Sequence, residues 1–249
     1  MKVFILAAGL GSRLKPFTNH CPKALVPLQG QPLLYHLLQR LKQQGFEDIV
    51  LNIHHYGQQI VNYLIENQMF GLNISISDER DQLLDTGGAL VKALPLLGTQ
   101  TEVLVHNVDV LTSMDYQSFV QTHYASKAEA TLAVRARQTQ RLLLFDENQR
   151  LQAWKNTQTQ EYIGKQMPNL HPWAFSGIHI IQTSLIQEFA DEYSAQSSGK
   201  EAHSPKFSVI SAYIQNAENH KIMAYPHDTD YWLDLGKPEQ LAQANSEFL

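Results

Sequence analysis

Between Val3 and Lys23 the chain reads as an apolar strand, a glycine turn and two cations at fixed spacing. No other stretch restricts the possible folds as much. Val3 to Ala8 is a continuous apolar run of the kind found in a strand buried on both faces. Gly9 and Gly11 follow, so the chain can turn tightly and let successive backbone N–H groups converge on an anion. Arg13 adds a forked cation, and Lys23 a second one held behind Pro22. The run Leu6-Ala7-Ala8-Gly9-Leu10-Gly11-Ser12-Arg13 therefore reads as a phosphate cradle. A dinucleotide fingerprint would need glycine where Leu14 stands, and a P-loop would need Gly-Lys-Ser/Thr after its four-residue gap, so neither loop fits.

Behind the cradle the pattern is α/β. Leu33, Leu34, Leu37, Leu38 and Leu41 recur at helical spacing until Gly45, and Ile49 to Ile53 reads as a strand. Ile60, Val61, Leu64 and Ile65, then Leu72, Ile74 and Ile76, repeat the alternation, which implies a parallel sheet. Thr86 is placed to cap a helix through Leu97, and Glu102 to His106 forms another buried strand ending in Asn107-Val108-Asp109. Ligands of open α/β sheets sit beyond the carboxyl ends of the strands, which puts Gly9 to Arg13 and Asp109 on one edge.

After a helix at about 114–126 the rhythm turns antiparallel, with strands at Thr131–Val134, Leu142–Phe145 and Leu151–Lys155. Residues 156–173 lack a clear period and read as a loop over the site, and Phe175 to Ile181 as a return to the sheet. Ser204-Pro205 reads as a helix start with Phe207, Ile210 and Ile214 on one face. Tyr231 to Gly236 reads as a final strand with a second acidic residue, Asp234, and Lys237 to Phe248 as a closing helix. The expected fold is α/β, a Rossmann-like mixed and mostly parallel sheet flanked by helices, with a small antiparallel subregion.

A chain of 249 residues that is 43% hydrophobic and 17% charged can bury a substantial core in one domain. With a net charge of −5 and no basic run, neither a nucleic acid nor a membrane surface is expected as partner; the partner should be small. Cys21 is the only cysteine, which excludes an internal disulfide and suits a reducing cytoplasm. With only the loop residue His20 beside it as a base, it is not expected to be a nucleophile. The opening apolar run is broken by glycines and has no small-residue cleavage site, and no segment approaches the ~18 continuous apolar residues of a membrane helix. The eleven histidines include His54-His55 and His106, but no ligand spacing recurs, so packing rather than zinc is expected of them. No internal repeat or hexapeptide pattern is present.

In order and spacing, Leu6 to Arg13, Pro22-Lys23, Gly87-Gly88, Asp109 and Asp234-Leu235-Gly236 resemble the sugar-1-phosphate nucleotidyltransferase family over nearly the whole chain. Within it, Asp85-Thr86-Gly87-Gly88 and the abrupt C-terminus are most similar to the short, single-domain N-acetylmuramate-1-phosphate uridylyltransferases and their relatives. The resemblance implies a nucleotide-diphospho-sugar transferase fold over residues 1–249, with 1–112 mainly the nucleotide half and 113–249 mainly the sugar half. It implies that a sugar 1-phosphate displaces pyrophosphate from a nucleoside triphosphate, UTP, in a monomer or homodimer. Such a reaction needs alignment and positive charge on the phosphates.

By family match Leu6, Ala7, Ala8, Gly9, Gly11, Ser12, Arg13, Gln82, Gly87 and Gly88 would bind the nucleotide, and Asn107, Lys155, Ser176 and Gly177 the sugar. Arg13, Lys23 and Asp109 would form the catalytic set. Asp109 and Asp234 would hold magnesium, with manganese as a substitute. The glutamine-to-glycine spacing of Gln82 and Gly87 resembles that by which pyrimidine-using members present an amide and an exposed backbone to the base. Two departures stand out: Val108 where the family commonly has glycine, and Trp154-Lys155-Asn156 where a glutamate precedes lysine and proline.

Three other functions are compatible with parts of the pattern. A guanylyltransferase on a mannose- or heptose-type 1-phosphate differs only in base and sugar. A nucleotide-sugar glycosyltransferase could use Asn107-Val108-Asp109 as a degenerate metal triplet but leaves the cradle and Pro22-Lys23 unexplained. An inactive nucleotide-sugar sensor would be expected to have lost Arg13, Lys23, Asp109 or Asp234, all of which are present.

Overall fold

The structure, a computed structural model, describes residues 1–196 and 206–247. β1 (Lys2–Leu6) is buried on both faces: Phe4 enters one core, while Val3 and Ile5 enter the other, as alternating side chains require. A short hairpin of β2 (Pro27–Leu28) and β3 (Gln31–Pro32) leads into α1 (Leu33–Gln43), whose leucine stripe is wholly buried. β4 (Asp48–Ile53), α2 (Gly57–Glu66), β5 (Asn73–Asp78), α3 (Asp85–Leu97) and β6 (Glu102–Asn107) complete the expected alternation. β1 pairs in parallel with β4 and β6, and β4 with β5.

β7 (Val110–Thr112) follows, then α4 (Tyr116–Ser126), capped by the Asp115 side chain accepting from the Gln117 N–H, and β8 (Ala130–Arg135). β9 (Arg141–Phe145), β10 (Leu151–Asn156) and β11 (Tyr162–Gly164) form an antiparallel meander. The long β12 (His171–Gln182) runs antiparallel to β6, β8 and β9 and so joins the two regions in one sheet, ordered β11-β10-β9-β12-β6-β1-β4-β5. After α5 (Thr183–Gln196) and α6 (Val209–Asn216), β13 (Ile222–Pro226) pairs in parallel with β8, β14 (Trp232–Asp234) pairs with β7, and α7 (Pro238–Glu247) closes the described chain. α3, α5 and α6 cover one face of the sheet; α1, α2 and α4 cover the other. No helix among the described residues is long and apolar enough to cross a membrane.

Two expectations need correction, and a third falls outside the described residues. Thr86 does not cap α3: it lies inside that helix, and its hydroxyl accepts the N–H of Val209, the first residue of α6 (3.0 Å). Residues 156–173 are not one loop, because Tyr162–Gly164 pairs with β10 and His171 already belongs to β12. Three residues with one exposed side carry too few repeats for a strand period to be read. Ser204-Pro205 lies outside the described residues, and α6 begins at Val209 behind Ser208.

Candidate active site

Parallel register sets Leu6 opposite Asn107, and the Val108 N–H donates to Leu6 O (3.2 Å), so the chain leaving β1 turns beside Asp109. A cleft of about 390 Å³ opens there, lined among others by Gly9, Lys23, Asn107, Asp109 and Lys206. Lys23 Nζ is ion-paired with the Asp109 carboxylate, both side chains being largely buried. β14 supplies the second carboxylate: Asp234 stands opposite Val110, and the Leu235 N–H donates to Asp109 O (2.8 Å).

Asp234 Oδ1 is buried with no hydrogen-bond partner among the described residues. Burial, with Asp109 nearby, raises the Asp234 pKa against the pull of Lys23, Arg13 and Arg137. Two carboxylates, one with an orphaned oxygen, are surrounded by three cations. No group of three or more histidine, cysteine or acidic side chains suited to a metal occurs among the described residues. A pair of hard oxygen donors does fit magnesium or manganese, which binds through one or two carboxylates and completes its shell with phosphate and water.

The cradle differs from its sequence reading in one respect. Asn52 on β4, which sequence reasoning missed, accepts the N–H groups of Ala7 (2.6 Å) and Ala8 (3.2 Å) on its Oδ1. Those two amides therefore do not face an anion, whereas those of Gly9, Leu10 and Gly11 carry no hydrogen bond among the described residues. Ser12 and Arg13 are exposed on a single 3₁₀ turn anchored by buried Leu14.

Gly87 and Gly88 do not present free backbone to a base. Their N–H groups point to Phe207 O (2.9 and 3.4 Å), and a Cβ at Gly87 would lie 2.2 Å from Phe207 Cε2, so glycine here permits close packing. Gln82 is exposed and outside the cleft lining, while its neighbours Leu83 and Asp85 belong to it.

On the sugar side, Gly177 (φ +78°) lies against Asn107: a Cβ would stand 2.8 Å from Asn107 Nδ2. Ser176 faces inward, its buried hydroxyl bonded to His227 Nε2 (2.7 Å). A second cleft of about 580 Å³ lies between β9–β11 and α6, lined among others by Arg137, Arg141, Trp154, Phe175 and Gln215. Lys155 lines neither cleft, because successive strand residues point to opposite faces and Trp154 takes the cleft side. Arg137, also missed in the sequence, links this cleft to the Asp234 carboxylate: it donates to Phe175 O (3.3 Å) and its guanidinium lies over the Trp232 ring (4.8 Å).

Beneath the site, His106 is fully buried. Its Nδ1–H donates to Asn107 O (2.8 Å) and its Nε2 accepts from the Tyr116 hydroxyl (2.9 Å). Burial pushes its pKa down to about 4.

The family model for nucleotidyl transferases matches residues 2–249. The N-acetylmuramate alpha-1-phosphate uridylyltransferase of Neisseria meningitidis serogroup B is 46% identical over 122 residues, covering 49% of this chain and 52% of that protein. The D-glycero-alpha-D-manno-heptose 1-phosphate guanylyltransferase of Aneurinibacillus thermoaerophilus is 32% identical over 135 residues, covering 54% and 57%. The chain thus spans about half the length of the curated relatives it matches. Among solved structures, a Bacillus anthracis chain assigned as a glucose-1-phosphate thymidylyltransferase superposes with a TM-score of 0.78 at 21% identity, covering 99% of this chain and 94% of that one, which shows a shared fold.

Proposed function

The chain belongs to the nucleotidyl transferase family, and on that premise we propose that it transfers a uridylyl group from UTP to a sugar 1-phosphate. An oxygen of the sugar phosphate attacks the α-phosphorus, the bond to the β-phosphate breaks, and pyrophosphate leaves. The observation that carries the reading is the convergence of Lys23, Asp109 and the orphaned Asp234 oxygen beside the free amides of the glycine turn.

The amides of Gly9 to Gly11 and the Arg13 guanidinium grip the triphosphate. Lys23, already the counter-ion of Asp109, places its ammonium where charge builds on the transferring phosphate. Asp109 and Asp234 would hold magnesium or manganese, which when bound adds positive charge to the reacting and leaving oxygens. The second cleft, joined to Asp234 through Arg137, takes the sugar, and Gly177 packs against Asn107 in the wall of the first cleft. Because catalysis is alignment plus charge, no nucleophile from the chain is needed. Such a reaction draws its triphosphate and sugar phosphate from the cytoplasm.

The uridylyl preference rests on the Neisseria relative, not on Gln82, whose side chain is off the cleft. The heptose relative favours a second reading with GTP. Pyrophosphate release measured for UTP, dTTP, GTP and ATP against N-acetylmuramate, glucose and mannose 1-phosphates tests both. UTP preferred with any of these acceptors supports the proposal, GTP preferred selects the second reading, and no release with any pair rejects transfer to these sugars.

A further inference from the structure

Asn52 interrupts the apolar run Ile49 to Ile53 of β4. Its β4 neighbours Val50, Leu51 and Ile53 are core residues, and Asn52 itself is 2% exposed. A polar side chain at such a depth is stable only if its hydrogen bonds are made. Its Oδ1 takes the Ala7 and Ala8 N–H groups, and its Nδ2 donates to Glu79 Oε1 (2.8 Å).

Glu79, just beyond β5, is wholly buried and pinned on its backbone as well. Its N–H donates to Ile53 O (2.8 Å), and its carbonyl accepts from His54 Nδ1 (2.6 Å) and from the Gln82 N–H (3.0 Å). The amide orientation is thereby fixed from both sides. Two N–H groups demand oxygen on the cradle side, and an acceptor at residue 79 demands nitrogen on the other. One side-chain amide thus ties the end of β1 to the loop that carries Leu83 and Asp85 into the cleft.

We propose that Asn52 and Glu79 are a positioning pair for nucleotide binding, which turns the Ala7 and Ala8 amides inward, leaves those of Gly9 to Gly11 for the phosphates, and sets the spacing between the cradle and the 79–85 loop. The inference rests on the nucleotidyl-transfer reading for its ligand, but not for the linkage itself. Both side chains belong to the wall of the first cleft, yet with Asn52 2% exposed and Glu79 wholly buried their role is to hold the cradle amides and the loop; Glu79 Oε2 has no hydrogen-bond partner among the described residues.

The test exchanges donor and acceptor. Asn52→Asp sets two acids face to face, whereas the double variant N52D/E79Q restores the bond with its direction reversed, the introduced carboxylate still accepting from Ala7 and Ala8. Initial rates with UTP, magnesium and N-acetylmuramate 1-phosphate, and amide hydrogen exchange of residues 6–14 and 79–86 without nucleotide, are compared with the parent. For N52D we expect KM for UTP to rise about tenfold or more with kcat within about threefold, and faster exchange in both segments. In the double variant both readouts return to within about threefold of the parent. Parental KM and exchange in N52D, or a double variant no better than the single one or unable to fold, overturns the pairing. Exchange needs no substrate, so a parent without turnover rejects the proposed reaction while the linkage is still decided.

Discussion

Acidification should destabilise the fold through the histidine beneath the candidate site, because burial disfavours its charged form. His106 is held neutral: Nδ1–H donates to Asn107 O, Nε2 accepts from the Tyr116 hydroxyl, and the Arg40 guanidinium sits 5.4 Å from the Tyr116 ring centroid. Protonation at Nε2 would remove the acceptor that Tyr116 uses and bury a charge. The folded pKa is therefore depressed from 6.5 to about 4, mainly by burial. A group depressed on folding contributes stability that is present above its unfolded pKa and lost as pH falls through the folded value, here between about 6.5 and 4. A shift of that size is worth roughly 3 kcal/mol at pH 4, or a Tm lower by about 6–12 °C in a chain of this length. A second buried histidine, His179, is pushed down to about 3 by burial and adds a loss of the same sign. Thermal melts of the parent and of His106→Gln at pH 7 and pH 4 isolate the first contribution. The drop between the two pH values should shrink by roughly 3 kcal/mol in the variant. Equal drops in both proteins, or a His106 ring that titrates near 6.5 by NMR, would refute the reasoning.

Asp109→Asn and Asp234→Asn should each lower kcat by orders of magnitude in magnesium-dependent assays. Asp234→Asn should also raise Tm at pH 7, since burial and Asp109 disfavour its charge; a lower Tm would mean that the cations around it outweigh both. Arg13→Lys should lose most of kcat/KM for the triphosphate, because an ammonium cannot reproduce the guanidinium fork; parental kinetics would remove the bidentate role. Gly87→Ala should cost about 1–3 kcal/mol in a denaturant titration through its clash with the Phe207 ring, and Phe207→Leu should recover part of it. No recovery would place the cost elsewhere.

Much of this was legible because it is local in sequence. The apolar run into Gly9 and Gly11, the strand end at Asp109 and the leucine stripe of α1 each declare themselves within a dozen residues. The parallel alternation then places the cradle and Asp109 on one edge. Contacts made by single polar residues across long separations were hidden. Asn52 and Glu79 lie 27 residues apart, and neither belongs to a motif. The available signal was an asparagine inside the Ile49 to Ile53 strand, where a buried polar group must find partners. Thr86 was misread because a threonine before an apolar run looks like a cap, and only tertiary packing shows that it serves α6 instead. Lys155 and Trp154 could not be assigned to faces without the meander that sets their alternation.

The five residue pairs that join β6 to β12 have a consequence for how such a chain can change over time. The two clefts hang from different columns of one continuous plate, and the seam between them is a ladder of backbone hydrogen bonds, which side-chain replacement leaves intact. Substitutions along β9 to β11 and α6 can reshape one flank while the strand ends that carry Asp109 and the glycine turn keep their spacing. Under the proposed reaction, new acceptors can then be explored by drift on that flank alone, without rebuilding the edge to which the donor is assigned.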